Sequence, residues 1–165
     1  MICYDRSAPH DLALAAWWAR LQATGDLDRT FLPSMRPLGA FLSYWRSNIV
    51  LYFDVDADGL TCVAWLEPVM SGAFYSLWLR QDKRKSKSSL AFIRATLELG
   101  LSKWPVLLGM TRQPALLDGH RKLGYTVLAD IPHLWNGDTV YLVALTQSSY
   151  TEAQHGRLKA RQPSC

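Results

Sequence analysis

Residues Leu77–Ile93 place a strand, a basic turn and an amphipathic helix directly one after another. Five cationic residues and three serines crowd the turn and the start of the helix: Arg80, Lys83, Arg84, Lys85, Lys87, Ser86, Ser88 and Ser89. The first N–H groups of a helix have no partner within the helix and lie at the positive end of its dipole. This order therefore predicts either a site for a phosphate-bearing ligand or a solvated, charged loop that caps the helix.

A second block, residues 104–131, has the order strand, short helix, strand. Trp104–Thr111 is an apolar run of the length expected for a buried strand. Gln113–Tyr125 carries a turn and a short helix, and Gly124 is the residue type that commonly follows the end of a helix. Thr126–Ile131 then returns as a strand, so this block predicts helix-crossed strands within a mixed sheet.

The remaining sequence predicts two early helices and an antiparallel meander. Asp56-Ala57-Asp58-Gly59 has the chemistry of a hairpin turn and lacks the distal glutamate of a calcium-binding loop. Trp135-Asn136-Gly137-Asp138 predicts a second hairpin, between the last two strands. The predicted strands are Ile2–Asp5, Asn48–Val55, Leu60–Leu66, Ala73–Leu79, Trp104–Gly109, Thr126–Leu134 and Thr139–Leu145, and the predicted helices are Pro9–Gln22, Leu38–Arg46, Ser89–Ser102 and one within Gln113–Tyr125.

The two blocks together resemble the acyl-CoA loop and the segment after it in the Gcn5-related N-acetyltransferases, the GNAT superfamily. The pattern of that family is L-x-V-x-P-x-x-R-x-x-G-x-G-x-x-L-L. The segment Leu77–Ile93 resembles it, with Arg84 at the arginine position. Lys87 and Ser89 stand at its two glycine positions. In the second block Gln113 falls on the family's asparagine, and His120 takes the place of a frequent tyrosine.

The resemblance implies an α+β (mixed α/β), GNAT-like fold with a central mixed, mostly antiparallel sheet flanked by helices. It also implies an acyl-CoA-dependent N-acyltransferase that transfers the acyl group of acetyl-CoA or another acyl-CoA to an amine. In that family two central strands splay apart, here Ala73–Leu79 and Trp104–Gly109, and acyl-CoA enters between them. The cofactor-binding residues that it implies are Trp78, Leu79, Arg84, Lys85, Ser86, Lys87, Ser88, Ser89 and Gln113.

Three residues are candidates for the chemistry of amine acyl transfer, which needs a base for the amine proton and an acid for the departing thiolate. His120 is the candidate acid, and the alternative is an exposed helix histidine. Glu67 interrupts an apolar strand, so it is either a base or the solvated end of that strand. Tyr75 either orders a water molecule or is a core aromatic residue.

Two other functions stay open. The serine-rich, glycine-poor loop followed by Lys103-Trp104 also resembles the phage branch of the superfamily, which includes the Mom-like proteins that modify adenine in DNA. Such a relative would modify nucleic-acid bases, and its basic loop and tail would contact nucleic-acid phosphates. Without the two loop glycines, the chain is also a candidate for a non-catalytic GNAT-like protein of a virion, or one that binds a partner.

Composition and length limit the class of protein. The chain has 165 residues, 49% hydrophobic, with a net charge of +4, which is enough for the core of one domain. We expect a GNAT-like acyltransferase domain over residues 1–147 and a basic, flexible tail over residues 148–165. Three scattered cysteines and four histidines without ligand-like spacing predict free thiols and no metal site. No apolar run approaches the ~20 residues of a membrane span, and no signal-peptide pattern is present, which predicts a cytoplasmic protein, in the host cytoplasm if phage-encoded.

Overall fold

The structure, a computed structural model, describes residues 1–27, 31, 34, 36–47, 49–134 and 137–161, with residues 157–161 described by their backbone alone. Its strands are β1 (Ile2–Cys3), β2 (Val50–Asp56), β3 (Gly59–Val69), β4 (Gly72–Leu79), β5 (Val106–Thr111), β6 (Thr126–His133) and β7 (Gly137–Thr146). The helices of the described residues are α1 (Ala8–Thr24), α2 (Leu38–Arg46), α3 (Lys87–Leu101), α4 (Leu117–Leu123) and α5 (Gln147–Arg161). Single turns of 3₁₀ helix, Gln81–Lys83 and Pro114–Leu116, precede α3 and α4.

The strands form one sheet in the order β1-β2-β3-β4-β5-β7-β6. Antiparallel pairing joins β1 to β2, β2 to β3, β5 to β7 and β6 to β7, whereas β4 and β5 run parallel. Parallel neighbours need a crossover connection, and α3 lies in the connection between β4 and β5. The predicted α+β fold with a mixed, mostly antiparallel sheet is confirmed.

The chain divides into two compact units, unit 1 (Met1–Glu67 and Leu77–Thr96) and unit 2 (Pro68–Ser76 and Leu97–Cys165). Unit 1 has an aromatic core. Six rings that are at most 8% exposed contact one another in this core: Trp17, Phe31, Phe41, Trp45, Trp65 and Trp78. Such rings bury a large apolar area and add edge-to-face contacts to it, so they supply much of the stability of unit 1.

The spacing of Leu14, Trp17, Trp18 and Leu21 predicts a buried face on the first helix, and the structure buries three of these four residues fully. Leu14, Trp17 and Leu21 of α1 are all buried. Trp18 is only half-buried, and its indole N–H donates to the Arg36 carbonyl at 2.7 Å. The two adjacent tryptophans therefore have different roles, because neighbouring positions on a helix face different directions.

Unit 2 is built on β5, β7 and β6, and its apolar core includes Leu107, Val143 and Leu145, all fully buried. Residues 148–161, which belong to the expected flexible tail, form most of α5. Tyr150 anchors this helix, because its ring is buried and its hydroxyl donates to Glu98 Oε1 at 3.0 Å. Residues 162–165 of the expected tail lie outside the described residues.

The start of α5 has a reciprocal cap that sequence reasoning missed. Thr146 Oγ1 accepts the Ser149 N–H at 3.3 Å, and Ser149 Oγ accepts the Thr146 N–H at 3.1 Å. This is the arrangement of a capping box, with serine in place of the usual glutamate or glutamine. The spacing T-x-x-S before Tyr150 was the signal in the sequence.

Several boundaries also differ from the predicted ones. α3 begins at Lys87 rather than Ser89, and β3 continues to Val69 rather than ending at residue 66. Asn48, Trp135 and Asn136, which belong to a predicted strand and hairpin, lie outside the described residues. Within the described ranges, no helix is both long and apolar enough to cross a membrane, and no group of side chains is arranged to hold a metal ion.

Candidate functional site

The loop between β4 and α3 is tied to the β2–β3 hairpin by ion pairs. Both terminal nitrogens of the Arg80 guanidinium donate to the Asp56 carboxylate, at 2.9 and 2.5 Å. Arg80 Nε donates to Asp82 at 2.7 Å, and Lys83 Nζ lies 3.0 Å from Asp56 Oδ2. Two of the five cations of this loop, neither of them among the cofactor-binding residues that the resemblance implies, are therefore paired with carboxylates inside unit 1.

These pairs are insensitive to pH over the ordinary range. The hydrogen bonds from Arg80, and then that from Lys83, hold the pKa of Asp56 well below its usual value. The same carboxylate raises the pKa of Lys83. Because the acid ionises at a lower pH and the base at a higher pH than usual, both stay charged near neutral pH.

Two serines stabilise the loop by hydrogen bonds to its own residues. Ser86 is the N-cap of α3, and its Oγ accepts the Ser89 N–H at 3.1 Å. Ser89 is buried, and its hydroxyl donates to the Lys83 carbonyl at 2.8 Å. Cys62 Sγ lies 3.5 Å from the same hydroxyl. These contacts give Ser86 and Ser89 a structural part in the loop, and any direct contact of theirs with a cofactor stays a prediction.

Three cations of the loop face solvent. Arg84, Lys85 and Lys87 are exposed, and the ion pairs of this loop, within the part of the chain that the structure describes, use Arg80 and Lys83 instead. Since α3 begins at Lys87, the N–H groups of Lys87 and of the exposed Ser88 are the first of the helix, ahead of the capped N–H of Ser89. This combination of positive side chains and helix N–H groups is suited to an anionic ligand.

The two positions at which the GNAT pattern has glycine lie in the first turn of α3. Lys87 and Ser89 have negative φ angles there, so neither position requires glycine for its backbone. The residue with a left-handed backbone is Lys85, at φ +68°. That region costs a residue with a Cβ about 1–2 kcal/mol, and only glycine visits it freely. In this chain the strained turn lies before the helix rather than within its first turn.

Replacement of Lys85 by glycine is therefore expected to stabilise the protein by about 1 kcal/mol, or a rise of about 2–4 °C in the melting temperature. Ser89→Gly is the contrasting variant. It removes a buried hydroxyl that bonds Lys83, so the melting temperature should fall by a comparable or larger amount. Thermal denaturation of both variants checks this, and a gain in stability from Ser89→Gly would contradict the loop geometry.

The end of β4 leads into this loop. The parallel ladder joins Ala73 to Leu107 and Phe74 to Leu108, while β4 itself continues to Leu79. Trp78 packs its indole on Trp17, with ring centroids 5.4 Å apart, and is buried. The side chain of Trp78 is therefore used in the core, and contact of its backbone with a cofactor stays a prediction.

Glu67 lies near the end of β3 and is partly buried. Burial raises the pKa of its carboxyl, because removal from water disfavours the charged form. A carboxylate with a raised pKa accepts a proton more readily near neutral pH. This is the property that a general base needs, although it does not by itself distinguish a base from a partly buried strand end.

His120 has a defined orientation in α4. Its Nδ1 lies 2.8 Å from the Leu116 carbonyl, and because a carbonyl only accepts, Nδ1 must carry the proton of this bond. Nε2 is then the ring nitrogen left to exchange a proton. The ring also meets Tyr125 edge to face, with centroids 5.2 Å apart. The His120 ring is therefore packed against Tyr125, while its Nε2 is left for proton transfer. Both interpretations of His120, general acid and structural residue, fit this geometry, and an experiment distinguishes them.

Gly124 and Tyr125 end α4 with a Schellman motif. The Gly124 N–H donates to the Arg121 carbonyl at 2.9 Å, and the Tyr125 N–H donates to the His120 carbonyl at 3.0 Å. Gly124 has φ +96°, so the C-cap glycine predicted from the sequence is confirmed. The motif places the Tyr125 ring against His120 and thereby helps to orient it.

The predicted site residues Tyr75 and Gln113 differ in burial. Tyr75 is buried, and its backbone oxygen would lie 3.7 Å from a Cβ built on Gly109. Tyr125 is buried too, and burial, together with Tyr75, raises the pKa of its phenol well above the usual value. Gln113 is exposed and N-caps the Pro114–Leu116 turn, with its backbone N–H bonded to Thr111 Oγ1 at 3.2 Å. The burial of Tyr75 is that of a core aromatic, and its role in ordering a water stays a prediction.

Solved structures similar to this one are N-acetyltransferases. A ribosomal-protein-alanine N-acetyltransferase from Brucella melitensis has 11% identity and a TM-score of 0.68, over 88% of this chain and 99% of its own. An aminoglycoside 6'-N-acetyltransferase complexed with coenzyme A has 14% identity and a TM-score of 0.63, over 88% and 97%. A mutant form of the spermidine N-acetyltransferase SpeG from Vibrio cholerae has 10% identity and a TM-score of 0.64, over 83% and 95%.

No protein-family model matches the sequence, and no curated protein resembles it closely enough to count as a relative. At 10–14% identity, what these structures share with the chain is the fold. That fold is the one of the GNAT-family acetyltransferases, among which an acetyltransferase from Streptococcus pneumoniae is another similar structure, with a TM-score of 0.65. The fold that the sequence resemblance implied is therefore confirmed.

Proposed function

We propose that this protein is an acyl-CoA-dependent N-acyltransferase that transfers an acyl group from acetyl-CoA or a related donor to an amine. The observation that carries the proposal is the loop before α3, where three exposed cations and the first N–H groups of the helix follow directly on β4. The similar structures support it, since those named above are acetyltransferases and one was solved with coenzyme A.

The residues present fit a phosphate-bearing cofactor. Arg84, Lys85 and Lys87 would pair with the diphosphate, and the N–H groups of Lys87 and Ser88 would donate to its oxygens. The backbone of Trp78 and Leu79, beyond the residues that pair with β5, would hold the pantetheine arm. Gln113 is exposed and is the remaining proposed contact. When bound, the cofactor supplies an acyl group activated as a thioester.

The chain's own residues handle the protons of the transfer. The amine nitrogen forms a bond to the acyl carbon, the carbon–sulfur bond breaks, and the sulfur leaves as a thiolate. Glu67 takes the proton that the nitrogen loses, a task suited to a carboxyl whose pKa burial has raised. His120 would act as an imidazolium with a proton on each ring nitrogen: it gives the Nε2 proton to the thiolate and keeps the Nδ1 proton that is bonded to the Leu116 carbonyl. Tyr75 is the third proposed participant, through a water molecule.

Coenzyme A binding tests the proposal. Calorimetry should detect binding of acetyl-CoA and CoA to the wild-type protein. Arg84→Ala and Lys87→Ala should each weaken it by about tenfold or more, because each removes a charge-assisted contact worth about 1.5–3 kcal/mol. Lys103→Ala is the matched control, since Lys103 is exposed, carries the same charge and lies outside the loop. No heat and no melting shift with millimolar CoA would remove the enzymatic proposal in favour of a non-catalytic, partner-binding protein.

Modification of nucleic-acid bases by a phage-type relative is the second candidate function. The observation in its favour is that the same exposed cations, Arg84, Lys85 and Lys87, are suited to nucleic-acid phosphates as well as to a diphosphate. Duplex DNA titrated in the same calorimetric series separates the two. Stabilisation by DNA together with CoA would support the phage-type function, and stabilisation by CoA alone would support a small-molecule or protein amine as acceptor.

A further inference from the structure

Asp56 links the β2–β3 hairpin to the loop that precedes α3. It accepts both terminal nitrogens of Arg80, and Lys83 Nζ lies 3.0 Å away. The Arg80 side chain is 11% exposed, so this contact is shielded from water more than an ordinary surface ion pair. A bidentate arginine–carboxylate pair also fixes direction, because both partners are planar.

The effect of Asp56 reaches the helix through a short series of hydrogen bonds. Arg80 and Lys83 lie at the two ends of the 3₁₀ turn, and the Lys83 N–H donates to the Arg80 carbonyl at 2.9 Å. The Lys83 carbonyl in turn accepts the Ser86 N–H at 3.1 Å and the Ser89 hydroxyl at 2.8 Å. Ser86 is the cap that sets where α3 begins. The position of Lys83, which Asp56 holds by its side chain, therefore fixes the start of the helix.

We propose that Asp56 is a positioning residue for cofactor binding: it holds Arg80 and Lys83 back from the ligand and sets the loop so that Lys87 and Ser88 present their N–H groups to the diphosphate. The inference rests on the proposed function. It means that the phosphate-binding loop is kept ordered by a carboxylate of the β2–β3 hairpin, which lies outside the loop in the sequence.

Removal of this carboxylate has two opposite effects on CoA affinity. A measurement of that affinity shows which of the two is larger. Asp56→Asn adds one positive charge near an anionic ligand, which by itself tightens binding. It also removes the ion pairs that tie Arg80 and Lys83 to the hairpin and leaves them paired with Asp82 within the loop, which by the proposal loosens the loop and weakens binding. Asparagine keeps the side-chain oxygen that accepts the Asp58 N–H at 3.0 Å, so the hairpin turn is preserved.

The test compares Asp56→Asn with Asp58→Asn by calorimetry with CoA. Asp58 is the matched control, because it is exposed, lies in the same turn and loses the same charge, while the ion pairs of the loop are made by Asp56 and Asp82. Asp56→Asn should bind CoA about tenfold more weakly than wild type, and Asp58→Asn should bind as tightly as wild type or slightly more tightly. Asp56→Glu should recover part of the loss, since it restores the charge and the bidentate pairing.

Each outcome has a distinct meaning. If wild type binds CoA and Asp56→Asn binds as well as Asp58→Asn, the positioning role is wrong while the proposed function stands. If wild type itself does not bind, the proposed function fails. Should Asp56→Asn not fold, Arg80→Lys replaces it, because that variant keeps the charge and loses the two-pronged contact. Weaker CoA binding by folded Arg80→Lys supports the inference, and unchanged binding overturns it.

Discussion

His120→Ala should lower the turnover of acetyl-CoA by roughly 10²-fold or more, with little change in CoA affinity. The reason is the orientation of the ring, whose Nδ1–H is held by the Leu116 carbonyl and whose Nε2 is the nitrogen left to protonate the thiolate. Turnover is measured as released thiol, with an amine that is active with wild type, chosen from a panel of polyamines, aminoglycosides and N-terminal peptides. His120→Tyr should recover part of the loss, since a phenol also donates a proton, though from a higher pKa.

The structural interpretation of His120 predicts a different pattern. The ring packs edge to face on Tyr125, so its loss would lower the melting temperature even if it had no part in proton transfer. His155→Ala is the control, because His155 is an exposed helix histidine on α5. A lower melting temperature with normal turnover in the folded fraction would assign His120 to structure alone.

Gly124→Ala should destabilise the protein by about 3 kcal/mol or more. A Cβ at this position would lie 2.4 Å from the Ser149 backbone oxygen and 2.8 Å from its carbon, and a backbone cannot move aside as a flexible side chain can. The left-handed φ of +96° adds about 1–2 kcal/mol of strain for any residue with a Cβ. Chemical denaturation would measure the loss, and the displaced α5 would also lose the packing of Tyr150.

Gly25→Ala is a matched control for this effect. Gly25 ends α1 in the same left-handed conformation, at φ +71°, but among the described residues nothing beyond its chain neighbours lies within 4 Å of a Cβ built there. Its replacement should cost about 1 kcal/mol, the conformational part alone. The difference between the two variants then measures the close approach of α5 to Gly124. Equal losses would show that this approach carries no energetic weight.

The regular elements of the fold follow from local pattern. The helix predicted over Leu38–Arg46 is present with those bounds. Its spacing predicts that Phe41, Leu42 and Trp45 face inward, and Phe41 and Trp45 are buried while Leu42 is partly buried against the same core. The hairpin at Asp56–Gly59 and the C-cap at Gly124 are also present. Each of these signals depends on residues within one or two turns of one another, and such short-range physics is readable from a single sequence.

The order of the strands within the sheet was not predicted, because the resemblance to the GNAT pattern implied only a mixed, mostly antiparallel sheet. Periodicity distinguishes a strand from a helix, but it does not say that β7 lies between β5 and β6. Strand pairing joins residues far apart in sequence, so the free energy that selects one partner is absent from any local window. The similar acetyltransferase structures confirm the fold that the resemblance implied, and the strand order comes from the structure itself.

The sequence by itself determined which charged and hydroxyl residues the loop carries and that a helix follows it. Only the tertiary structure decided which charges the loop can offer to a ligand, because the β2–β3 hairpin brings Asp56 to Arg80, 24 positions further along the chain, and to Lys83. The structure also shows that Lys85 rather than Lys87 has the left-handed backbone, and that Tyr150 of α5 is buried. Charge pairing and burial act between residues that are distant in the chain, so they appear only when the fold brings those residues together.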